Sequence, residues 1–99
     1  SDHKQILSCL TEDVEWILPG IFHHIGKDAF DKEIKNPAFE GKPVIVVTRT
    51  IEENSIVITE GTVRAKKKDA EYISLVFCDV FEMKNRLINK LTSYLMEVK

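Results

Sequence analysis

The spacing of apolar residues changes near residue 43, from helical intervals to strict alternation. Before that point it predicts two short helices, over residues 2–10 and 27–35, with a strand over residues 14–18 between them. Pro19-Gly20 ends this strand. A helix of about ten residues is unstable alone in water, so we expect the first one to pack on a sheet. Its abrupt start also indicates that a preceding helix is missing from this sequence.

After residue 43 the alternation predicts a run of long strands separated by short turns. The predicted strands cover residues 44–51, 56–65, 71–83 and 87–98. Consecutive strands with short connections form an antiparallel meander. With helices first and strands afterwards, the predicted fold class is α+β, in which N-terminal helices pack on one face of a curved antiparallel sheet. The 99 residues suit a single domain over 1–99.

One acidic residue interrupts an apolar strand face. In residues 71–83, alternation places Asp79 on the same face as Phe77 and Phe81. An ionised carboxylate in such surroundings is costly unless it is paired, protonated or open to a polar cavity. We therefore predict that Asp79 faces a cavity.

The preceding strand offers partners for this carboxylate. Glu60 and Arg64 share one face of residues 56–65, and we expect that face to turn inward, so that both lie near Asp79. Cys78 is expected on the opposite face from Asp79. A less specific alternative is a buried Asp79 satisfied by Arg64 or by a backbone donor.

Charge and composition exclude several partners. Lys and Arg number 14 and Asp and Glu number 16, giving a net charge of −2, and such a balance does not suit nucleic acid. No apolar run approaches the roughly 20 residues that span a bilayer, and the first residues lack the pattern of a signal peptide. We therefore expect no nucleic-acid or membrane partner.

The cysteines and histidines do not form a metal site in the predicted arrangement. Cys9 and Cys78 lie on different elements, and two such thiols form no disulfide framework, which is typical of a cytoplasmic protein. His23 and His24 are expected in the loop after the first strand. Adjacent side chains of an extended segment point apart, so these two are not expected to bind one ion.

The order of elements resembles the SnoaL-like branch of the nuclear-transport-factor-two-like superfamily, which includes ketosteroid isomerases, limonene epoxide hydrolase and scytalone dehydratase. The motifs that carry the resemblance are D-V-E-W at residues 13–16, P-G at 19–20, G-K at 26–27 and D-V-F at 79–81. The resemblance implies a cone of curved sheet closed by helices around a deep, mostly apolar pocket without a cofactor. It also implies a homodimer through the outer sheet face, and a longer first helix that the sequence does not show.

The resemblance also implies roles for individual residues. Asp79 corresponds to the acid that donates a hydrogen bond to the oxyanion in ketosteroid isomerases. Leu18 stands where those enzymes place their general base and cannot accept a proton, so their activity itself is not expected. Asp79 and Glu60 are the candidate catalytic residues. The candidate ligand-binding residues are Trp16, Leu18, Phe30, Arg64, Phe77, Phe81, Leu91 and Leu95.

Two functions remain open at this point. One is binding or conversion of a small hydrophobic molecule by isomerase, cyclase or hydrolase chemistry. The other is a non-catalytic interaction domain that dimerises through an outer sheet face. The residues expected on that face are Val57, Thr59, Val63, Val76, Val80 and Tyr94. A cavity on the inner face favours the first function, and a face filled by core side chains favours the second.

Overall fold

The computed structural model describes residues 3–34, 39–67 and 71–98 of the chain. The elements in order are α1 (His3–Ser8), β1 (Leu10–Leu18), β2 (Phe22–Ile25), α2 (Lys27–Ile34), β3 (Phe39–Glu53), β4 (Ile56–Lys67), β5 (Tyr72–Lys84) and β6 (Leu87–Val98). The α+β class predicted from the change of period is confirmed.

All the strands belong to one curved six-stranded sheet with the order β2-β1-β6-β5-β4-β3. Strands β3 to β6 form the predicted antiparallel meander. Strand β1 pairs in parallel with β6, so the sheet is mixed, a feature that local alternation does not encode. Strands β2 and β3 lie at the two edges, and the sheet is not closed into a barrel.

Several element boundaries differ from the prediction near the start of the chain. Helix α1 ends at Ser8, and Leu10 already belongs to β1, where it is 1% exposed and pairs with Ile88. His23 and His24 lie in strand β2, not in a loop, because the chain folds back after Leu18 and pairs with β1. Strand β4 extends to Lys67, two residues past the predicted strand 56–65, and residues 68–70 lie outside the described residues.

The turns at either end of the meander explain its sharp connections. Asn54 and Ser55 have φ angles of 50° and 67°, and Asn85 and Arg86 have angles of 51° and 68°. Two successive residues with positive φ are typical of the two-residue hairpin turns that match the right-handed twist of paired strands. These connections fix the register of β3 with β4 and of β5 with β6.

The core lies between the helices and one end of the sheet. Leu10, Val14, Phe30 and Leu91 form its buried cluster, and the residues packed against this cluster are Leu7, Trp16, Phe81 and Ile88. We call the sheet face that carries Trp16, Phe81 and Leu91 the inner face and the opposite one the outer face. At the β3 edge the inner face is not covered, since Ile45 and Val47 are 59% and 53% exposed.

The register corrects one predicted face. Asp79 pairs with Thr59, whereas Glu60 pairs with Cys78 and Arg64 pairs with Ser74. Since directly paired residues share a face, Glu60 and Arg64 lie on the outer face with Cys78, and the predicted inward group of Glu60, Arg64 and Asp79 is wrong. The residues of β4 expected on the outer face lie on the inner one instead, and these are Val57, Thr59 and Val63. Strand β4 has apolar residues on both faces, so its alternation did not identify the inner one.

Gly61 marks a close approach between strands β3, β4 and β5. A Cβ atom built on Gly61 would collide with the carbonyl oxygen of Val46 and lie 2.9 Å from two ring atoms of Phe77. The register of β3 shifts beside it, where Thr48 Oγ1 donates a hydrogen bond to the Glu60 carbonyl oxygen at 3.0 Å. The absent side chain therefore makes room for the Phe77 ring on the inner face.

We predict that Gly61→Ala lowers the free energy of unfolding by about 1–3 kcal/mol, because backbone atoms cannot move aside as a flexible side chain does. Urea denaturation of both proteins measures this loss. The matched control is Thr62→Ala, at the exposed neighbouring position, which is expected to change stability by less than about 1 kcal/mol. Equal losses in the two variants would contradict the close approach at Gly61.

Candidate functional site

Asp79 lies in the middle of the sheet, on the inner face. It is half-buried and sits directly between Thr59 of β4 and Ser93 of β6. Burial raises the pKa of the Asp79 carboxyl above its usual range, and a hydrogen bond with Ser93 opposes this shift without cancelling it. The site therefore favours the protonated carboxyl more than water does.

Ser93 connects this carboxyl to the aromatic core. Trp16 Nε1–H donates a hydrogen bond to Ser93 Oγ at 3.0 Å, and Ser93 is 8% exposed. The hydroxyl of Ser93 also bonds to Asp79, so a line of hydrogen bonds runs from β1 through β6 to β5. The sequence prediction missed Ser93, because its position opposite Asp79 depends on the register of two strands.

A cavity of about 1060 Å³ opens on the inner face beside this line of hydrogen bonds. It lies between the β1–β2 turn, helix α2 and strands β3 to β6. Its inner-face lining includes Leu18, Phe22, Glu33, Gly61, Phe77, Ser93 and Leu95. It also borders outer-face positions of the same strands, namely Glu60, Thr62, Val76, Cys78, Tyr94 and Met96. Asp79 does not line the cavity among the described residues and lies one hydrogen bond behind Ser93. Ser93 is therefore the group of this pair that the cavity exposes.

The predicted site residues fall into three places. Those that line the cavity are Leu18, Phe77, Leu95 and Glu60. Those that form the core behind it, or pack against that core, are Trp16, Phe30, Phe81 and Leu91. Arg64 lies on the outer face, with its guanidinium 4.8 Å from the centre of the Tyr72 ring. The structure thus brings Asp79 together with Ser93 and Trp16, and not with Glu60 or Arg64.

The Glu60 carboxylate binds Arg49 of the neighbouring strand β3. Arg49 Nε and Nη2 both donate to Glu60 Oε1, at 3.0 Å and 2.6 Å. This hydrogen bonding raises the pKa of the Arg49 guanidinium further above its ordinary value. Both side chains are largely exposed, and an ion pair in contact with water contributes little to stability. Strand register therefore pairs Glu60 with a neighbour on β3.

The two adjacent histidines occupy opposite faces of β2. His24 pairs with Trp16 in the sheet, and its Nε2 lies 2.9 Å from Glu33 Oε1 of helix α2. His23 lies on the outer face, with its Nε2 2.7 Å from Glu15 Oε1. In the described part of the chain, no group of three histidine, cysteine or acidic residues is arranged to hold a metal ion.

Neither helix in the described ranges is long and apolar enough to cross a membrane.

We predict that Asp79→Asn raises the melting temperature at pH 7. An acid whose pKa is raised by folding stabilises the fold most below its unfolded pKa, and this contribution is lost as the pH rises through the folded pKa. The neutral amide escapes that loss. The advantage of the variant should therefore vanish near about pH 3, where the aspartate is largely protonated in both the folded and the unfolded protein. Thermal unfolding across this pH range measures the difference.

The control for this experiment is Glu53→Gln, an exposed carboxylate near the end of β3, which should show no such pH-dependent advantage. A lower melting temperature for Asp79→Asn at pH 7 would show that the fold stabilises the ionised carboxylate instead.

Comparisons with known proteins agree with this architecture. The family model described as a SnoaL-like domain matches residues 1–91. No curated protein matches the chain significantly. Several solved structures share its fold. A nuclear-transport-factor-two-like protein of unknown function from Burkholderia pseudomallei is 19% identical, with a TM-score of 0.88, and the match covers 96% of this chain and 79% of that one.

Two further structures extend the comparison. A LEH-like epoxide hydrolase of M. tuberculosis is 18% identical, with a TM-score of 0.79 over 96% of this chain and 71% of that one. A Catenulispora acidiphila protein with a ketosteroid isomerase-like fold, solved with trimethylamine, is 11% identical, with a TM-score of 0.83 over 95% of this chain and 75% of that one. Such low identities show a common fold, and the family model carries the assignment. The chain belongs to the SnoaL-like domain family, with the fold of the nuclear-transport-factor-two-like superfamily.

Proposed function

We propose that the chain binds a compact hydrophobic molecule in the inner-face cavity, without a cofactor, and that Ser93 and Asp79 provide its polar contact. The observation that carries this proposal is the cavity of about 1060 Å³, whose apolar wall contains the Ser93 hydroxyl held between Trp16 and Asp79. Small-molecule sites commonly combine a large apolar surface with a few fixed polar groups. A face filled by core side chains would have supported the non-catalytic interaction domain.

The Ser93 hydroxyl has two states that depend on the proton of Asp79. When Asp79 is ionised, Ser93 donates its proton to the carboxylate and offers a lone pair to a ligand. When Asp79 is protonated, the acid can donate to Ser93, and the Ser93 proton becomes free for a ligand oxygen. The second state, in which the Ser93 proton is free, suits a carbonyl or alkoxide oxygen.

The same groups define which chemistry is proposed. A donor that stabilises a developing negative charge is useful in isomerase, cyclase or hydrolase reactions without a cofactor. The neighbour described as an epoxide hydrolase and the one solved with trimethylamine support small-molecule binding on this fold. Leu18 lines the cavity at the position of the isomerase general base, so ketosteroid isomerisation itself is not proposed.

We predict that Ser93→Ala weakens the binding of decalone, a compact bicyclic ketone, by about five- to tenfold, the usual value of one hydrogen bond. Trp16 is the single tryptophan, and its fluorescence measures the titration. Binding of decalin, which has no oxygen, should not change. The matched control is Thr92→Val, which removes a hydroxyl from the outer face one residue away. Equal decalone affinity in Ser93→Ala and the unmodified protein would contradict this contact.

A second function is favoured by the outer face, which we propose pairs with a second copy of the chain. The exposed apolar residues of this face include Val44, Val46, Ile51, Val76, Tyr94 and Met96. Apolar patches of this kind mark interaction surfaces. Two of the charged pairs on this face, Arg49 with Glu60 and Lys90 with Glu82, are formed within the chain, so these four charges would enter an interface already paired.

We predict a dimer in sedimentation experiments at micromolar concentration. Tyr94→Glu should convert it to a monomer, because a charge would be buried in the apolar interface. Leu95→Glu is the matched control, since Leu95 is similarly exposed but lies on the inner face, and this variant should stay dimeric. A monomeric unmodified protein, or a dimer that survives Tyr94→Glu, would contradict the proposal.

The state of the cysteines supports a cytoplasmic location, which we also propose. Cys9 is an exposed free thiol, and Cys78 is a half-buried free thiol on the outer face. An exposed free thiol is most stable in a reducing compartment.

A further inference from the structure

The turn between β1 and β2 forms an apolar part of the cavity wall. Leu18, Pro19 and Ile21 line the cavity there, and all three have hydrocarbon side chains. Ile21 is 73% exposed, the largest exposed fraction of any large apolar side chain in the described residues. Covering such a side chain with hydrocarbon is favourable, because apolar surface leaves water. Ile21 therefore gains more from a bound apolar ligand than a wall residue that the fold already buries.

The shape of this turn follows from its sequence. The Ile21 N–H donates to the Leu18 carbonyl oxygen at 2.9 Å, which closes a four-residue turn. Pro19, at the second position, has its φ restricted to about −65° by its ring. Gly20, at the third position, has a φ of 82°. This combination is typical of a type II turn, so the two central residues suit the conformation that presents Ile21.

The neighbouring strands hold both ends of the turn. Leu18 pairs with Phe22 directly across it. The Phe22 ring stacks on His24 with a centroid distance of 4.3 Å, and it meets Trp16 edge to face with centroids 5.4 Å apart. Trp16 also donates to Ser93, so one aromatic residue contacts both the strand that carries the turn and the polar group of the cavity. The turn is therefore pre-organised for binding, which lowers the entropy lost when a ligand binds.

We propose that Ile21 contacts the ligand and that the Leu18–Ile21 turn selects compact ligands that present hydrocarbon to it. This inference rests on the proposed binding function and adds the residue that recognises the apolar part of the ligand. A polar group placed against the turn would lose water without finding a partner among the side chains there, so it is disfavoured. Gly20 is a positioning residue that acts through Ile21.

The test repeats the Trp16 fluorescence titration with decalone and decalin. Ile21→Ala should weaken the binding of both compounds by the same factor, about five- to twentyfold, because the lost contact is with hydrocarbon that the two share. The ratio of the two affinities reports the Ser93 hydrogen bond and should not change. Ile25→Ala is the matched control, since Ile25 is 65% exposed but lies on the outer face of β2, and this variant should bind both compounds normally.

Substitutions at position 20 test the turn with the Ile21 side chain left intact. A Cβ atom built on Gly20 would meet nothing within 4 Å, so the positive φ is the main constraint on a side chain there. Asparagine tolerates a positive φ, whereas the β-branched valine does not. Gly20→Val should therefore weaken decalone and decalin equally, and Gly20→Asn should keep most of the affinity for both. Equal affinities in these two variants would overturn the positioning role of Gly20.

The remaining outcomes distinguish the Ile21 contact from the binding function on which it rests. Unchanged binding of both compounds in Ile21→Ala, while Ser93→Ala still weakens decalone, overturns the Ile21 contact and leaves the binding function standing. Weakening of decalone alone in Ile21→Ala also overturns it, because that result indicates an effect on the polar contact. Binding of neither compound to the unmodified protein overturns both proposals.

Discussion

The structure depends on the hydrogen bonds that join Trp16, Ser93 and Asp79 across three strands. Trp16 is on the first long strand, and its neighbour β6 is the last, so this link spans nearly the whole chain. Both Trp16 and Ser93 have polar atoms that would be costly to bury without partners, and each satisfies the other. The parallel pairing of β1 with β6 brings them together. The same contact leaves a hydroxyl at the wall of the cavity, so one interaction serves both the sheet and the site.

The cavity exists because the apolar core fills only one end of the inner face. Leu10, Val14, Phe30 and Leu91 pack where both helices contact the sheet. Toward the β3 edge, the buried Gly61 contributes no side chain, and the Phe77 ring lies over it. Apolar groups that remain in contact with water provide a driving force for binding an apolar ligand. The fold therefore exposes part of its inner surface where a more complete core would have covered it.

Local patterns predicted the elements well, and they predicted the relations between distant elements less well. Alternation identified β5 and placed Asp79 with Phe77 and Phe81, because that strand has one clearly apolar face. Strand β4 is apolar on both faces and has glycine at an inner position, so the faces of Glu60 and Arg64 were assigned in reverse. Ser93 and the strand at His23 and His24 depend on pairing with residues far along the chain or across a turn. Register, which is a property of the assembled sheet, decides these cases.

The alternation of strand side chains also explains how so small a domain can carry two different surfaces. Neighbouring residues on one strand, such as Ser93 and Tyr94 on β6, lie on the inner face and the outer apolar face respectively. A sheet with one layer of helices leaves its other face without a covering layer, so that face must be polar or must find a partner. Here it retains exposed apolar residues, while the inner face retains a partly open cavity. Because the two faces share the same strands, a change in register would exchange their residues, and the hairpin turns at Asn54-Ser55 and Asn85-Arg86 keep the surfaces distinct.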